Sequence, residues 1–325
     1  MSFKSRWIFL ALVLAGLLST NVARADGGCG RLPPAHYLGI GADRIAYYES
    51  PGRQGPGVLL VHGNTSSSDW FACQVNGGLG RRYRVVAVDL PGAGRSDDPS
   101  DPAASYSMAG WTDAIVSVAD RLGLAGGVFV GWSLGGDLLL QSSPRLPLAK
   151  GYFIVGTAPV AKPISPATFL PNPVGGYGFV DALSPSQTRD YVQAFLRPDE
   201  PLPTVLLDAG LRYDGRARAA LAQAVFSGAY QDEVEIVSRL GVPIAVVFGK
   251  EEQLINAAYV EGLPIPTLWR SSVQFVERAG HAAQFDNSQR FDELLESFVR
   301  DVTRRHCDAI HGDKRDAGCD GFSKD

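Results

Sequence analysis

The stretch that most constrains this chain is Val128-Phe-Val-Gly-Trp-Ser-Leu-Gly-Gly136. A short apolar run enters Gly131-Trp132-Ser133-Leu134-Gly135, and helix-compatible residues, Asp137-Leu138-Leu139-Leu140, follow. This is a G-x-S-x-G turn with a strand before it and a helix after it. In so tight a turn, side chains at positions 131 and 135 would collide with neighbouring backbone, so both are glycine. The turn lifts the Ser133 hydroxyl above a sheet and aims a helix N-terminus at it. Glycine and serine are also common in ordinary turns, so the motif alone fits a solvated strand-to-helix turn as well. The rest of the chain has to decide.

Read in order, the chain alternates buried runs with loops and helical patterns. Arg44 to Glu49 and Gly57 to His62 read as strands joined through Pro51-Gly52. The second ends in His62-Gly63-Asn64, and the polar cluster Thr65 to Asp69 predicts the start of a helix over 69–79. Tyr83 to Val88 reads as a buried strand ending in the loop Asp89-Leu90-Pro91-Gly92-Ala93-Gly94-Arg95-Ser96. Trp111, Ile115, Val118 and Leu122 recur at helical spacing within a predicted helix over 106–124. Gly151 to Val155, Ile244 to Phe248 and Val273 to Val276 read as further strands, and 288–304 as a closing amphipathic helix. Strand, loop and helix in repetition build an α/β fold with a mainly parallel, doubly wound sheet. Ligands bind such sheets beyond the carboxyl ends of the strands. His62, Asn64, Ser133, Glu252 and His281 all fall just past predicted strand ends.

The stretch 157–243 holds no clear buried strand and is far longer than an ordinary connection. It carries many prolines and two helix signals. One is the capping box Ser184-Pro185-Ser186-Gln187; the other is an apolar pattern over 214–226. We read it as a lid inserted into a core formed by 26–156 and 244–306. The remaining residues, 307–325, read as a polar, cysteine-bearing tail.

The N-terminus stands apart from the fold. Lys4 and Arg6 precede the apolar run Trp7 to Leu18, and Ala23-Arg24-Ala25 supplies an A-x-A cleavage site. This predicts a signal peptide over 1–25 and a periplasmic or secreted protein. The run is short for an uncleaved membrane anchor. All four cysteines lie beyond it. In an oxidising compartment they predict two disulfides, with three connectivities open. Cys307 and Cys319 could close a small loop, leaving Cys29 with Cys73. No C-x-x-C or clustered histidine argues for zinc, and we expect no cofactor. A net charge of −4 gives no case for a nucleic-acid partner.

Ser133 needs a base. Of the five histidines, His281 follows the last predicted strand, after a glycine that frees the loop. His62 suits a structural role, His36 precedes the fold, and His306 and His311 lie near the C-terminus. A carboxylate must then fix the imidazole tautomer. Glu251 and Glu252 follow the strand 244–248, between serine and histidine in chain order. Backbone N–H groups of Leu134 and Asn64 are positioned to hold a developing oxyanion.

With these residues in view, the chain resembles the α/β-hydrolases over about residues 40–303. The matching motifs are His62-Gly63-Asn64, Asp89-Leu90-Pro91-Gly92-x-Gly94-x-Ser96, Gly131 to Gly136 and Gly280-His281. The resemblance implies an acid three residues after the glycine that ends its strand, which is Glu252. Many members carry aspartate there, so the glutamate is a departure. More narrowly, the chain is similar to the α/β-hydrolase type of N-acyl-homoserine lactonase. That similarity is carried by Tyr106-Ser107-Met108, Gly131 to Gly136, Asp214-Gly215-Arg216-Ala217-Arg218, Pro243 to Val247, Ala279-Gly280-His281-Ala282 and Glu252. The N-terminal segment and the cysteine-bearing tail depart from that pattern. The resemblance implies a serine hydrolase of esters or lactones acting on a small molecule, and cleavage of the leader implies no membrane partner thereafter. A general carboxylesterase or carbon–carbon-bond hydrolase would use the same triad. A non-catalytic receptor on the same fold would leave Ser133 unreactive towards a fluorophosphonate.

Overall fold

A computed structural model describes residues 28–311, with side chains through 304. The expected leader over 1–25 and the side chains of Cys307 and Cys319 lie outside the described residues. Eight strands form one sheet: β1 (His36–Ile40), β2 (Asp43–Glu49), β3 (Gln54–Val61), β4 (Tyr83–Val88), β5 (Val128–Trp132), β6 (Gly151–Val155), β7 (Ile244–Gly249) and β8 (Gln274–Val276). Their order is β1-β2-β4-β3-β5-β6-β7-β8. β1 and β2 pair antiparallel, as do β2 and β4, and every later pair is parallel.

The parallel strands are apolar on both faces because helices cover both faces. Side chains alternate across a strand, and the core divides accordingly. Leu59, Val61, Phe129, Ile154 and Val246 face one way, against the helices Met108–Arg121 and Leu134–Ser142. Val58, Leu60, Val130, Phe153 and Val247 face the other way, against the closing helix Ser288–His311. There Phe153 meets Phe291 and Phe298 edge-on, at 5.4 and 5.7 Å between ring centres. Burying each such ring contributes about 2–3 kcal/mol.

Between β6 and β7 the chain builds four helices: Pro185–Gln193, Thr204–Arg212, Gly215–Ser227 and Glu233–Arg239. The first carries the expected capping box at Ser184, and Asp214 caps the third. The second and fourth were not expected. The fourth has a plain signal, since the Asp232 side chain accepts from the Glu235 N–H.

Other boundaries also differ from expectation. β1 reads weakly in sequence because it is an edge strand, with Tyr37 46% exposed. The helix expected over 69–79 is a 3-10 turn, Ser68–Phe71, followed by two short helices that break at Gly77. A Cβ there would stand 2.3 Å from the Cys73 carbonyl oxygen. The helix expected from Tyr106 begins at Met108, where the Ser107 hydroxyl accepts from the Gly110 N–H. The closing helix runs past Cys307 to His311. Cys29 and Cys73 form a disulfide, the expected pairing for those two.

Candidate active site

Ser133 leaves the end of β5 at φ 53°, ψ −127°, a conformation that non-glycine residues rarely adopt. The strain is held by packing on both sides. The Ser133 N–H donates to the Val155 carbonyl at 2.9 Å, and the Thr157 hydroxyl donates to the Ser133 carbonyl at 2.9 Å. A Cβ on Gly135 would stand 2.2 Å from the Val61 carbonyl oxygen, so the helix Leu134–Ser142 reaches this close to β3 only with glycine there.

His281 follows β8 and is 1% exposed. Its ring centre lies 5.7 Å from those of Trp132 and Phe195, and its own carbonyl accepts from the Trp132 indole N–H at 3.0 Å. Nδ1 lies 2.9 and 3.0 Å from the two carboxylate oxygens of Glu252. A carboxylate accepts only, so Nδ1 carries a proton and Nε2 is left to act as base. Glu252 is pinned in turn, since Oε1 also accepts from the Leu254 N–H at 2.8 Å. Glu251 points into solvent.

Asn64 and Leu134 present backbone N–H groups that no acceptor among the described residues takes. The Asn64 side chain is occupied elsewhere, its Nδ2 donating to the Gly178 carbonyl at 2.8 Å. His62 braces this loop. Its Nδ1 lies 2.8 Å from the Gly63 carbonyl, and Nε2 accepts from the Leu90 N–H at 3.0 Å. Complete burial pushes the His62 imidazole below its usual range, which suits a neutral structural role.

Asn64, Ser133, Leu134 and His281 all line one cavity of about 380 Å³. Its remaining walls are largely apolar and come mostly from the segment between β6 and β7, including Phe169, Phe179, Leu221 and Val225. Among the described residues, no lysine or arginine lines it.

The alpha/beta hydrolase family model matches residues 58–294. The chain belongs to the alpha/beta hydrolase family. Among solved structures it is similar to the N-acyl homoserine lactonase AidH in complex with N-hexanoyl homoserine lactone. The TM-score is 0.80 with 36% identity, covering 84% of this chain and 99% of that one. Among curated proteins it is 30% identical over 251 residues to a dihydrolipoyllysine-residue acetyltransferase component of the acetoin cleaving system from Cupriavidus necator. That match covers 74% of this chain and 63% of the relative, so the chain spans under two thirds of that protein's length. It is 27% identical over 281 residues to a 2-hydroxymuconate semialdehyde hydrolase from Pseudomonas putida, covering 79% of this chain and 91% of that one. The chain is a hydrolase.

Two of the sequence stretches that carry the lactonase resemblance meet in this hydrolase. The Tyr106 hydroxyl donates to the Asp214 carboxylate at 2.6 Å, and Met108, two residues along, lines the cavity. Arg218 reaches the Val180 and Asp181 carbonyls at 2.8 Å each and holds that loop over Asn64. Sequence reading missed Asp286, whose Oδ2 accepts from the Gly280 N–H at 2.7 Å and the Arg197 N–H at 2.8 Å. It thereby fixes the loop that carries His281. Burial pushes its carboxyl up to about 6 despite those two N–H donors. Sequence reading also missed Asp137 and Glu233 in the cavity wall. For Asp137 a signal existed, since it stands one helical turn after Ser133.

Proposed function

We propose that this hydrolase opens the ring of N-acyl homoserine lactones through a serine acyl-enzyme. Ser133 Oγ attacks the ring carbonyl while its proton passes to His281 Nε2. The resulting oxyanion is held by the N–H groups of Asn64 and Leu134, and Glu252 stabilises the imidazolium. Collapse breaks the ring C–O bond, and the leaving oxygen takes the proton from His281. Water then attacks the acyl-enzyme with His281 again as base, which frees Ser133 and a carboxylic acid. The segment 157–243 acts as a lid whose apolar side chains receive the acyl chain. The protein works in the periplasm or outside the cell, a reading supported by the Cys29–Cys73 disulfide.

The observation that carries this reading is one arrangement. Ser133, at a strained turn, shares a largely apolar cavity with a histidine tautomerically fixed by Glu252. The similarity to AidH supports the lactone as substrate class. A carbon–carbon-bond hydrolase is the second reading, favoured by the match to the semialdehyde hydrolase. A carboxylate-bearing substrate of that kind would gain no charge partner from this cavity wall, which among the described residues presents carboxyls and no lysine or arginine.

Chromatography with mass detection on a long-chain acyl homoserine lactone tests the proposal. The expected product is one water heavier than the substrate, keeps its acyl chain, and closes again on acidification. Free homoserine lactone with a fatty acid would refute it. Turnover of aryl esters alone would favour a carboxylesterase.

A further inference from the structure

The cavity wall contains one feature that ester hydrolysis does not use. Asp137 and Glu233 meet there, 96 positions apart in the chain, with a hydrogen bond between their carboxyls. Such a bond needs a proton on one of them. The surroundings decide which. Glu233 is 1% exposed and takes two donors: the Gln141 side-chain amide on Oε1 at 2.8 Å and the Val160 N–H on Oε2 at 3.1 Å. Gln141 is itself fixed, because its Oε1 accepts from the Gln231 N–H at 2.9 Å. Asp137 Oδ1 is fully buried and no N–H or O–H among the described residues donates to it. Glu233 is therefore the carboxylate and Asp137 the acid that donates to it. Burial, then the Glu233 charge, raises Asp137 well above the usual carboxylate range. Asp137 is half-buried and lines the cavity, so its carboxyl, bound to Glu233 on one side, offers the cavity an acceptor oxygen on the other.

Its position relative to the reacting atoms follows from helix geometry. Asp137 stands four residues after Ser133 on the same helix, about 6 Å along the axis. Side chains on a helix lean towards its N-terminus, so this carboxyl leans towards the site. In an acyl homoserine lactone bound at Ser133, the third carbon of the acyl chain lies five bonds from the ring carbonyl, a similar span.

We propose that Asp137, held by Glu233, is a specificity subsite that accepts a hydrogen bond from a hydroxyl on the substrate's acyl chain, at about the third carbon. With the Asp137 proton given to Glu233, the pair presents the substrate an acceptor rather than a donor. It favours a hydroxyl, gains nothing from an unsubstituted chain, and disfavours a ketone or carboxylate at that place. The inference rests on the hydrolase mechanism proposed above.

The test compares kcat/KM for N-(3-hydroxyhexanoyl), N-hexanoyl and N-(3-oxohexanoyl) homoserine lactones with purified mature protein. The 3-hydroxy substrate is expected to exceed the unsubstituted one by about five- to tenfold, the worth of one hydrogen bond to a charged acceptor pair. The 3-oxo substrate should rank last. Asp137→Asn keeps the ratio within about twofold, because its amide donates to Glu233 and its carbonyl still faces the cavity. Asp137→Leu brings the ratio to about one. Wild-type protein without a hydroxyl preference would overturn the proposal, even if the leucine variant fails to fold. So would a ratio that survives in the leucine variant. Ethyl 6-hydroxyhexanoate against ethyl hexanoate repeats the comparison at the same five-bond distance. A preference there, with no lactone turned over, would keep the subsite and refute the lactonase reading alone.

Discussion

Replacing Glu252 by glutamine tests the proposed mechanism at its most specific contact. The wild-type carboxylate accepts from His281 Nδ1 with both oxygens, at 2.9 and 3.0 Å, and from the Leu254 N–H at 2.8 Å. Glutamine keeps one acceptor and puts an NH2 group where the other oxygen stood. The Leu254 N–H and the imidazole then compete for one carbonyl oxygen. If the NH2 faces Nδ1, the imidazole proton must move to Nε2, and the base can no longer take a proton from Ser133. The charge that stabilises the imidazolium is lost as well. At about 3 Å and an effective dielectric of about 20, that attraction is on the order of 5 kcal/mol before desolvation is subtracted. A net loss of about 4–5 kcal/mol lowers kcat by about 10³- to 10⁴-fold. KM should change little, because Glu252 does not line the cavity. Glu251→Gln is the matched control. Its side chain is exposed and should leave kcat within about twofold. Stopped assays on a lactone, with circular dichroism to confirm folding, read both. Glu252→Gln activity within tenfold of wild type, or an equal loss from Glu251→Gln, would refute the assignment of the acid.

Ser133→Ala should lower turnover by on the order of 10⁴- to 10⁶-fold without unfolding the protein, and should end labelling by a fluorophosphonate; labelling that persists would place the nucleophile elsewhere. Gly135→Ala puts a Cβ 2.2 Å from the Val61 carbonyl oxygen and 2.6 Å from that of His62, and should cost at least about 2 kcal/mol in denaturant titration. An unchanged midpoint would mean that the turn is looser than described. Asp292→Asn should change how stability depends on pH. Burial raises this carboxyl from 3.8 to about 7, against a Gln74 amide that lowers it, so the native state binds the extra proton. The wild type therefore loses stability as pH rises from about 4 to about 7. The variant escapes that loss, by on the order of 2 kcal/mol after allowance for residual solvent access. Equal melting-temperature differences between variant and wild type at pH 5 and pH 8 would contradict this.

Much of the site was legible in the sequence because strand ends announce it. Ser133, His281 and Asn64 each follow an apolar run that breaks at glycine or at a polar turn, and the structure brings all three to one cavity. The acid was ambiguous from local pattern alone, since two adjacent glutamates follow β7. The family resemblance picks out Glu252, and the approach of the β8 loop shows the contact that distinguishes it from Glu251. The pairing of Asp137 with Glu233 has no local signature, because its meaning arises from a contact between distant segments. The helix Thr204–Arg212 was hidden for a related reason. Its N-cap position is Pro203, which makes no side-chain hydrogen bond, so the usual start signal is missing. β1 carries no fully buried position to report its alternation.

Asn64 divides its work between two sets of atoms. Its main-chain N–H is available to the reacting oxygen under the proposed mechanism, while its side chain holds the Gly178 carbonyl of the overlying segment. Every residue type except proline supplies the first. Only a few supply the second. Mutational drift at this position can therefore re-seat the roof of the cavity, and with it the choice of acyl chain, while the chemistry beneath survives. Among hydrolases built this way, a new substrate range is open to single-step evolution at a residue that a map of the proposed chemistry would mark as fixed.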